Sequence, residues 1–212
     1  MAIEQMSWDL RRPKVLEAPA DQLNFNNVYG RHYINVQVPH YTGMVAGHTL
    51  KVRFASGRHT FRTETLTIAK PSPINLIIPI LEVVDAIDSE ASVSYSVRPG
   101  VNAPLIYSEM LDLNVTEQPF DLTKPRLSND RSNVAVKFLN MVPGYTVRVR
   151  WHGVVVRDTG ILPTQNDSSM NFSIPEQWRS ENRGKEVLIN YSLHRSGSGD
   201  NLMFSRLLRV TL

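Results

Sequence analysis

The chain has no cysteine. That excludes disulfides, thiolate metal sites and cysteine nucleophiles, and it leaves the redox compartment open. No apolar run approaches the ~20 residues that a membrane-crossing helix needs, so no span is expected. Excess charge is small as well, a formal +3 over the whole chain. It is uneven: residues 1–116 carry 10 Lys and Arg against 11 Asp and Glu, and residues 117–212 carry 13 against 9. A surplus of that size reads as a solvated face, not as a nucleic-acid-binding field. Catalytic motifs are missing. There is no G-x-x-x-x-G-K-[ST], no G-x-G-x-x-G, no G-x-S-x-G and no H-x-x-x-H pair. The opening MAIEQMSWDLRRP lacks a basic start followed by an apolar core, so no cleavable secretory leader is expected.

What the chain does have is a repeat. Residues 47–57 read GHTLKVRFASG and residues 144–153 read GYTVRVRWHG. Both follow Gly-x-Thr-apolar-basic-Val-Arg-aromatic. Apolar residues alternate with charged ones, Leu50, Val52, Phe54 and then Val147, Val149, Trp151. Alternation with period two marks a strand with one buried and one wet face. Lys51, Arg53, Arg148 and Arg150 are then expected to face water, and Phe54 and Trp151 to be equivalent core residues. Three further blocks match at the same displacement. Pro79 lies over Pro175, Tyr95 over Tyr191, and SEMLDLNV from Ser108 over SRLLRVTL from Ser205, each 96 or 97 residues apart. A constant displacement across four blocks is the signature of one fold unit present twice.

The expected domains are 32–116 and 133–212, preceded by a loose arm, 1–31, and joined by a linker, 117–132. In the first domain, strands are expected at 33–38, 50–54, 61–68, 75–78, 92–97 and 107–115, with one or two helical turns at 81–87. Pro13, Pro19 and the asparagines at 24, 26 and 27 argue against regular structure in the arm. Pro119 and Pro125 mark the linker. A proline between basic residues, Arg12-Pro13-Lys14, also precedes domain one, which leaves open that the linker belongs to the repeat unit. The second domain ends with its last strand, as a complete unit would. Many short strands, frequent turn signals and almost no helix give an all-β chain of two tandem antiparallel β-sandwich domains.

Each unit resembles the bacterial immunoglobulin-like repeats of large surface and adhesin-like proteins of Gram-negative bacteria. The resemblance rests on V-x-V-P-x-Y-x-G-M-x-x-G-x-T from Val36 to Thr49, the aromatic end of the second strand, the Ile-Pro pair, and S-E-x-L-x-L-x-V from Ser108. It covers residues 32–212. Domain two departs from it where FLNMVP, 138–143, replaces the Pro-x-Tyr-x-Gly-Met segment. The resemblance implies an immunoglobulin-like fold and a tandem, rod-like arrangement in a bacterial protein, and it brings no catalytic motif. With no leader visible, such a protein stays in the cytoplasm or leaves by a route without a cleaved signal.

The histidines, among them His40, His48, His152 and His194, read as surface residues. The acidic run Asp85 to Glu90 has no counterpart of equal spacing in domain two, so no metal is expected. Ser196-Gly197-Ser198-Gly199-Asp200 reads as a flexible connection, since no helix follows to hold a phosphate. No cofactor is expected. The function that fits is a non-enzymatic interaction or adhesion module that presents loops to a protein or a glycan. The alternative is a structural spacer in a larger bacterial surface or secreted assembly. No nucleic-acid partner is expected, since the arginines of domain two come from separate segments. The two copies differ most at 157–170 and 179–185. Duplicated frameworks keep what packs and let loops diverge, so the expected contacts are Trp178, Arg179 and Arg183.

Overall fold

The computed structural model describes residues 8–57, 59–138, 141–165, 169–197, 199 and 202–212. The chain divides into two compact units, Met1–Thr116 and Glu117–Leu212. Almost all regular structure is β. Unit 1 contains β1 (Lys14–Val15), β2 (Gln22–Leu23), α1 (Phe25–Val28), β3 (Tyr33–Val38), β4 (Thr49–Ser56), β5 (Thr60–Arg62), β6 (Leu66–Thr67), β7 (Ile74–Pro79), α2 (Ile80–Val84), β8 (Ala91–Arg98), β9 (Ile106–Tyr107) and β10 (Leu111–Val115). Unit 2 contains β11 (Arg126–Leu127), β12 (Asn133–Val136), β13 (Tyr145–His152), β14 (Val156–Asp158), β15 (Leu162–Pro163), β16 (Met170–Ser173), α3 (Glu176–Glu181), β17 (Glu186–Arg195), β18 (Met203–Phe204) and β19 (Leu208–Thr211).

Each unit holds two sheets. In unit 1 these run β1-β3-β7 and β2-β10-β8-β4-β5, with β6 on β4 and β9 on β8. In unit 2 they run β11-β12-β16 and β14-β13-β17-β18, with β15 on β13 and β19 on β17. Position by position the pairing is the same in both, with β2 as an addition in unit 1. The strand pairs are antiparallel except β2 with β10. The alternating residues explain the layers. Val134 and Phe172 from one sheet and Val147, Val149, Trp151 and Tyr191 from the other share one buried cluster in unit 2. In unit 1, Phe54 and Tyr95 are almost wholly buried, as Trp151 and Tyr191 are.

Two expected strands are broken, and the break is built from hydroxyls. Residues 61–68 form β5 and β6, and the register on β4 slips by one residue between them. At the slip, the Val52 amide donates to Thr63 Oγ1 at 3.1 Å, and the Thr63 amide donates back to the Val52 carbonyl at 3.0 Å. A side-chain oxygen thus accepts the bond that a main-chain carbonyl would have taken, which is how a bulge keeps its donors satisfied. The same exchange joins Val149 and Thr159, with the amide to Oγ1 at 3.0 Å. Residues 107–115 break likewise. The Tyr95 amide donates to Ser108 Oγ at 2.9 Å, and the Tyr191 amide to Ser205 Oγ at 2.9 Å. Each slip reverses which face the following residues occupy, so Tyr107 faces out while Leu111 and Leu113 face in.

The flanking segments are not loose. Residues 14–29, expected in an arm, supply β1 and β2 to the two sheets of unit 1. They also bury Val15, Leu23, Phe25, Val28 and Tyr29. Short strands tolerate the local prolines because each pairs over only two residues. Residues 117–132, expected as a linker, belong to unit 2. Gln118 brackets Phe204, accepting its amide at 2.8 Å and donating to its carbonyl at 2.8 Å. Leu122 is buried and bridges Ser205. β11 pairs with β12 as β1 pairs with β3. The basic-Pro-basic stretches at 12–14 and 124–126 therefore open equivalent edge strands.

Candidate functional site

The α3 segment positions the three residues singled out by divergence between the repeats. Ile174-Pro175 follows directly on β16 and Ile78-Pro79 closes β7, and a short helix follows each proline. Proline cannot continue the ladder, and its fixed φ suits a helix start. There the copies part. In α2, Ile-Leu-Glu-Val-Val, all five residues are buried. In α3, Glu-Gln-Trp-Arg-Ser-Glu, none is fully buried.

Arg179 and Arg183 stand one turn apart and line a shallow concavity of about 140 Å³ with Asp130, Arg131, Glu176, Ser180 and Leu212. Arg179 pairs with Glu176 at 2.5 Å and donates to the Asp130 carbonyl at 3.3 Å. Asp130 sits in the hairpin loop between β11 and β12. The Ser128 and Ser132 hydroxyls each donate to its carboxylate at 2.6 Å, and the Ser132 amide does so at 3.2 Å. These bonds favour the charged form and hold its pKa down to about 2. The site is therefore a mixed-charge pocket with an arginine excess and a carboxylate that is ionised at neutral pH.

Trp178 is not among the lining residues. Its half-buried ring packs on the core of unit 2, with its centroid 6.2 Å from that of Trp151. The Arg157 guanidinium lies 5.7 Å over it and pairs with Glu181 at 2.6 Å. That bond, with one from Gln177, lowers the Glu181 pKa. Trp178 anchors the helix that carries Arg179, and Arg183 follows in the turn just past the helix end. Sequence reading missed Asn182, which fixes the helix end. Fully buried, it accepts the Val154 amide at 2.8 Å and donates to the Trp178 carbonyl at 2.7 Å. A Cβ at residue 153 would stand 2.1 Å from its Oδ1. The glycine closing the repeat block at 153 was the available signal.

Other expected surface residues turn inward. His48 is buried and stacked on Tyr41, whose hydroxyl lies 3.0 Å from His48 Nδ1. Burial pushes the Tyr41 pKa up to about 12 and lowers that of His48, so a protonated phenol faces a neutral imidazole. Met44 is buried as well, so the loop after β3 packs more than it presents. Arg150 and His152, expected to face water, are also buried. Arg150 compensates its charge by binding Asp158 through two nitrogens, each at 2.8 Å. Among the described residues no group of three or more His, Asp or Glu could hold a metal ion, and no helix is long and apolar enough to cross a membrane. Of the stretches expected to differ between the copies, 166–168 lies outside the described residues, as do 198 and 200–201 of the connection read as flexible.

No family model matches the chain, and no curated protein matches it. Among solved structures it is similar to a 1.5-MDa bacterial ice-binding adhesin, at 12% identity and TM-score 0.34, over 96% of this chain and 63% of that one. It is also similar to a tetra-tandem repeat from the extending region of a large adhesion protein, at 12% identity and TM-score 0.35, over 97% of this chain and 49% of that one. A third likeness, at 15% identity and TM-score 0.28, is to the BSP domain of a biofilm-associated protein, over 94% of this chain and 29% of that one. The chain thus spans less than two thirds of the length of each.

Proposed function

We propose that the chain is a non-enzymatic interaction module of two tandem immunoglobulin-like sandwiches, and that unit 2 meets a protein or glycan partner through the α3 face. The observation that carries this reading is the contrast between α2 and α3. The same place in a repeated framework holds a buried apolar helix in one copy and a polar helix in the other. The buried side chains and hydroxyl bulges around it are kept. Selection for packing alone gives no reason for two neighbouring arginines around a concavity. Arginine binds carboxylates in a forked, two-bond geometry and is enriched where interfaces gain most energy. Arg179 and Arg183 are the contacts, with Trp178 holding α3, and the turn after it, against the core.

The test is binding of the full chain to immobilised arrays of glycans and of proteins, beside an Arg179→Ala, Arg183→Ala variant whose fold is checked by circular dichroism. The expected outcome is a ligand for the parent chain whose affinity falls roughly tenfold or more in the variant. Undiminished binding by the folded variant contradicts the site. A parent chain without any ligand favours the second reading, a structural spacer. That reading draws on the duplication itself, since repeating a unit is how a chain gains length without new chemistry.

A further inference from the structure

We infer a second binding surface, for an acidic polysaccharide, on the outer face of the larger sheet of unit 1. It does not depend on the α3 site. The register assembles it. Arg53 lies opposite Arg62 on one side and Ser94 on the other. One step along the strand, Lys51 lies opposite Ser96, which itself lies opposite Tyr107. A further step brings Thr49 opposite Arg98. Same-face residues recur every ~7 Å along a strand and strands lie ~4.8 Å apart. Four cations therefore stand over about 14 Å of sheet, with serine and threonine hydroxyls between them.

Charge is segregated within this unit. Its formal balance is −1, yet the face is basic. The described arginines that do pair with carboxylates, Arg11, Arg12 and Arg31, bond Asp9, Asp21 and Glu17 elsewhere. Lys51, Arg53, Arg62 and Arg98 have no carboxylate partner among the described residues. Asp112 stands at the far corner, opposite Ser92. The face is also dished. A concavity of about 320 Å³ is lined by Thr49, Lys51, Thr65, Ser96, Arg98 and Leu105.

Charge complementarity calls for an anion, and the floor selects its kind. Protein interfaces centre on aromatic and apolar residues, whereas here the central positions are Ser94, Ser96 and Lys51. Single-stranded nucleic acid needs several stacking rings along its path. This face offers Tyr107, 71% exposed, at one margin. Hydroxyls that donate and accept, cations at intervals of one strand step, and an exposed ring beside Leu105 suit a sugar polymer bearing carboxylates or sulfates.

The experiment measures binding of the full chain to polygalacturonate and to dextran sulfate, with uncharged dextran and a single-stranded DNA oligonucleotide beside them. The parent chain is expected to bind one or both acidic polymers and to release them near 1 M salt, where screening acts within ~3 Å. Replacing Lys51, Arg53, Arg62 and Arg98 together by serine is expected to weaken binding roughly tenfold or more, at about twofold per exposed charge pair. Should that variant not fold, Arg62→Glu alone, at an exposed position on an edge strand, must still weaken it. The Arg179→Ala, Arg183→Ala chain must bind as the parent does, which separates this surface from the α3 site. Equal binding by the face variants overturns the inference. So does equal binding of uncharged dextran, tighter binding of the oligonucleotide, or no binding to either acidic polymer.

Discussion

Trp151 shows how much rests on single side chains in the centre of unit 2. It is fully buried, and both Trp178 and the residues of β17 pack around it. Trp151→Ala is expected to cost ~3–5 kcal/mol, read as a shift in the urea midpoint of unit 2. An effect below about 1 kcal/mol would mean that this ring is not central to the core. Gly153 is a subtler case, because its lack of a side chain makes room for Asn182. Gly153→Ala must push out a buried amide that satisfies both Val154 and Trp178. A loss of about 2–3 kcal/mol is expected. If Gly153→Ala and Asn182→Ala together cost no more than either alone, the two act as one unit.

At the level of elements, the loop after β3 has a pH dependence set by His48. Its folded pKa is lowered by burial, so the unfolded chain binds the proton at higher pH than the folded one. Stability from this group is therefore complete above the unfolded pKa, ~6.5. It is lost as pH falls from there toward the folded value. Unit 1 should weaken over that window, and His48→Gln should remove that part of the slope while leaving the acid loss from carboxylates. A parallel slope in parent and variant would contradict a neutral His48 bonded to Tyr41. The hydroxyl bulges give a second test. Thr63→Val and Thr159→Val each leave a strand amide without its acceptor, at a cost of about 1–3 kcal/mol. Each loss should appear in the unit that holds the residue.

For the molecule as a whole, the repeat was legible because packing preserves spacing. Four blocks kept one displacement, and the strands at 33–38, 50–54, 75–78 and 92–97 were read close to their observed bounds. The bulges were partly legible. Phe61 and Ile68 are an odd number of residues apart yet both serve the inner side, which an unbroken strand forbids. The arm and linker were misread because strands of two residues carry no periodicity to detect. Arg150 and His152 were misread because alternation reports which face is the core, not whether the other face is open. The proposed α3 site was legible only as divergence. Nothing in the order of residues shows that Trp178 turns to the core while Arg179 and Arg183 share a concavity. One arrangement of strands is used twice, down to its irregular bonds. Residue-resolved amide hydrogen exchange on the full chain tests it most directly. Protected amides are expected at Tyr95 and Tyr191. Ser108→Ala should release the first alone, and Ser205→Ala the second alone. If the two amides differ in protection in the parent chain, or the serine variants leave them unchanged, the shared framework is contradicted.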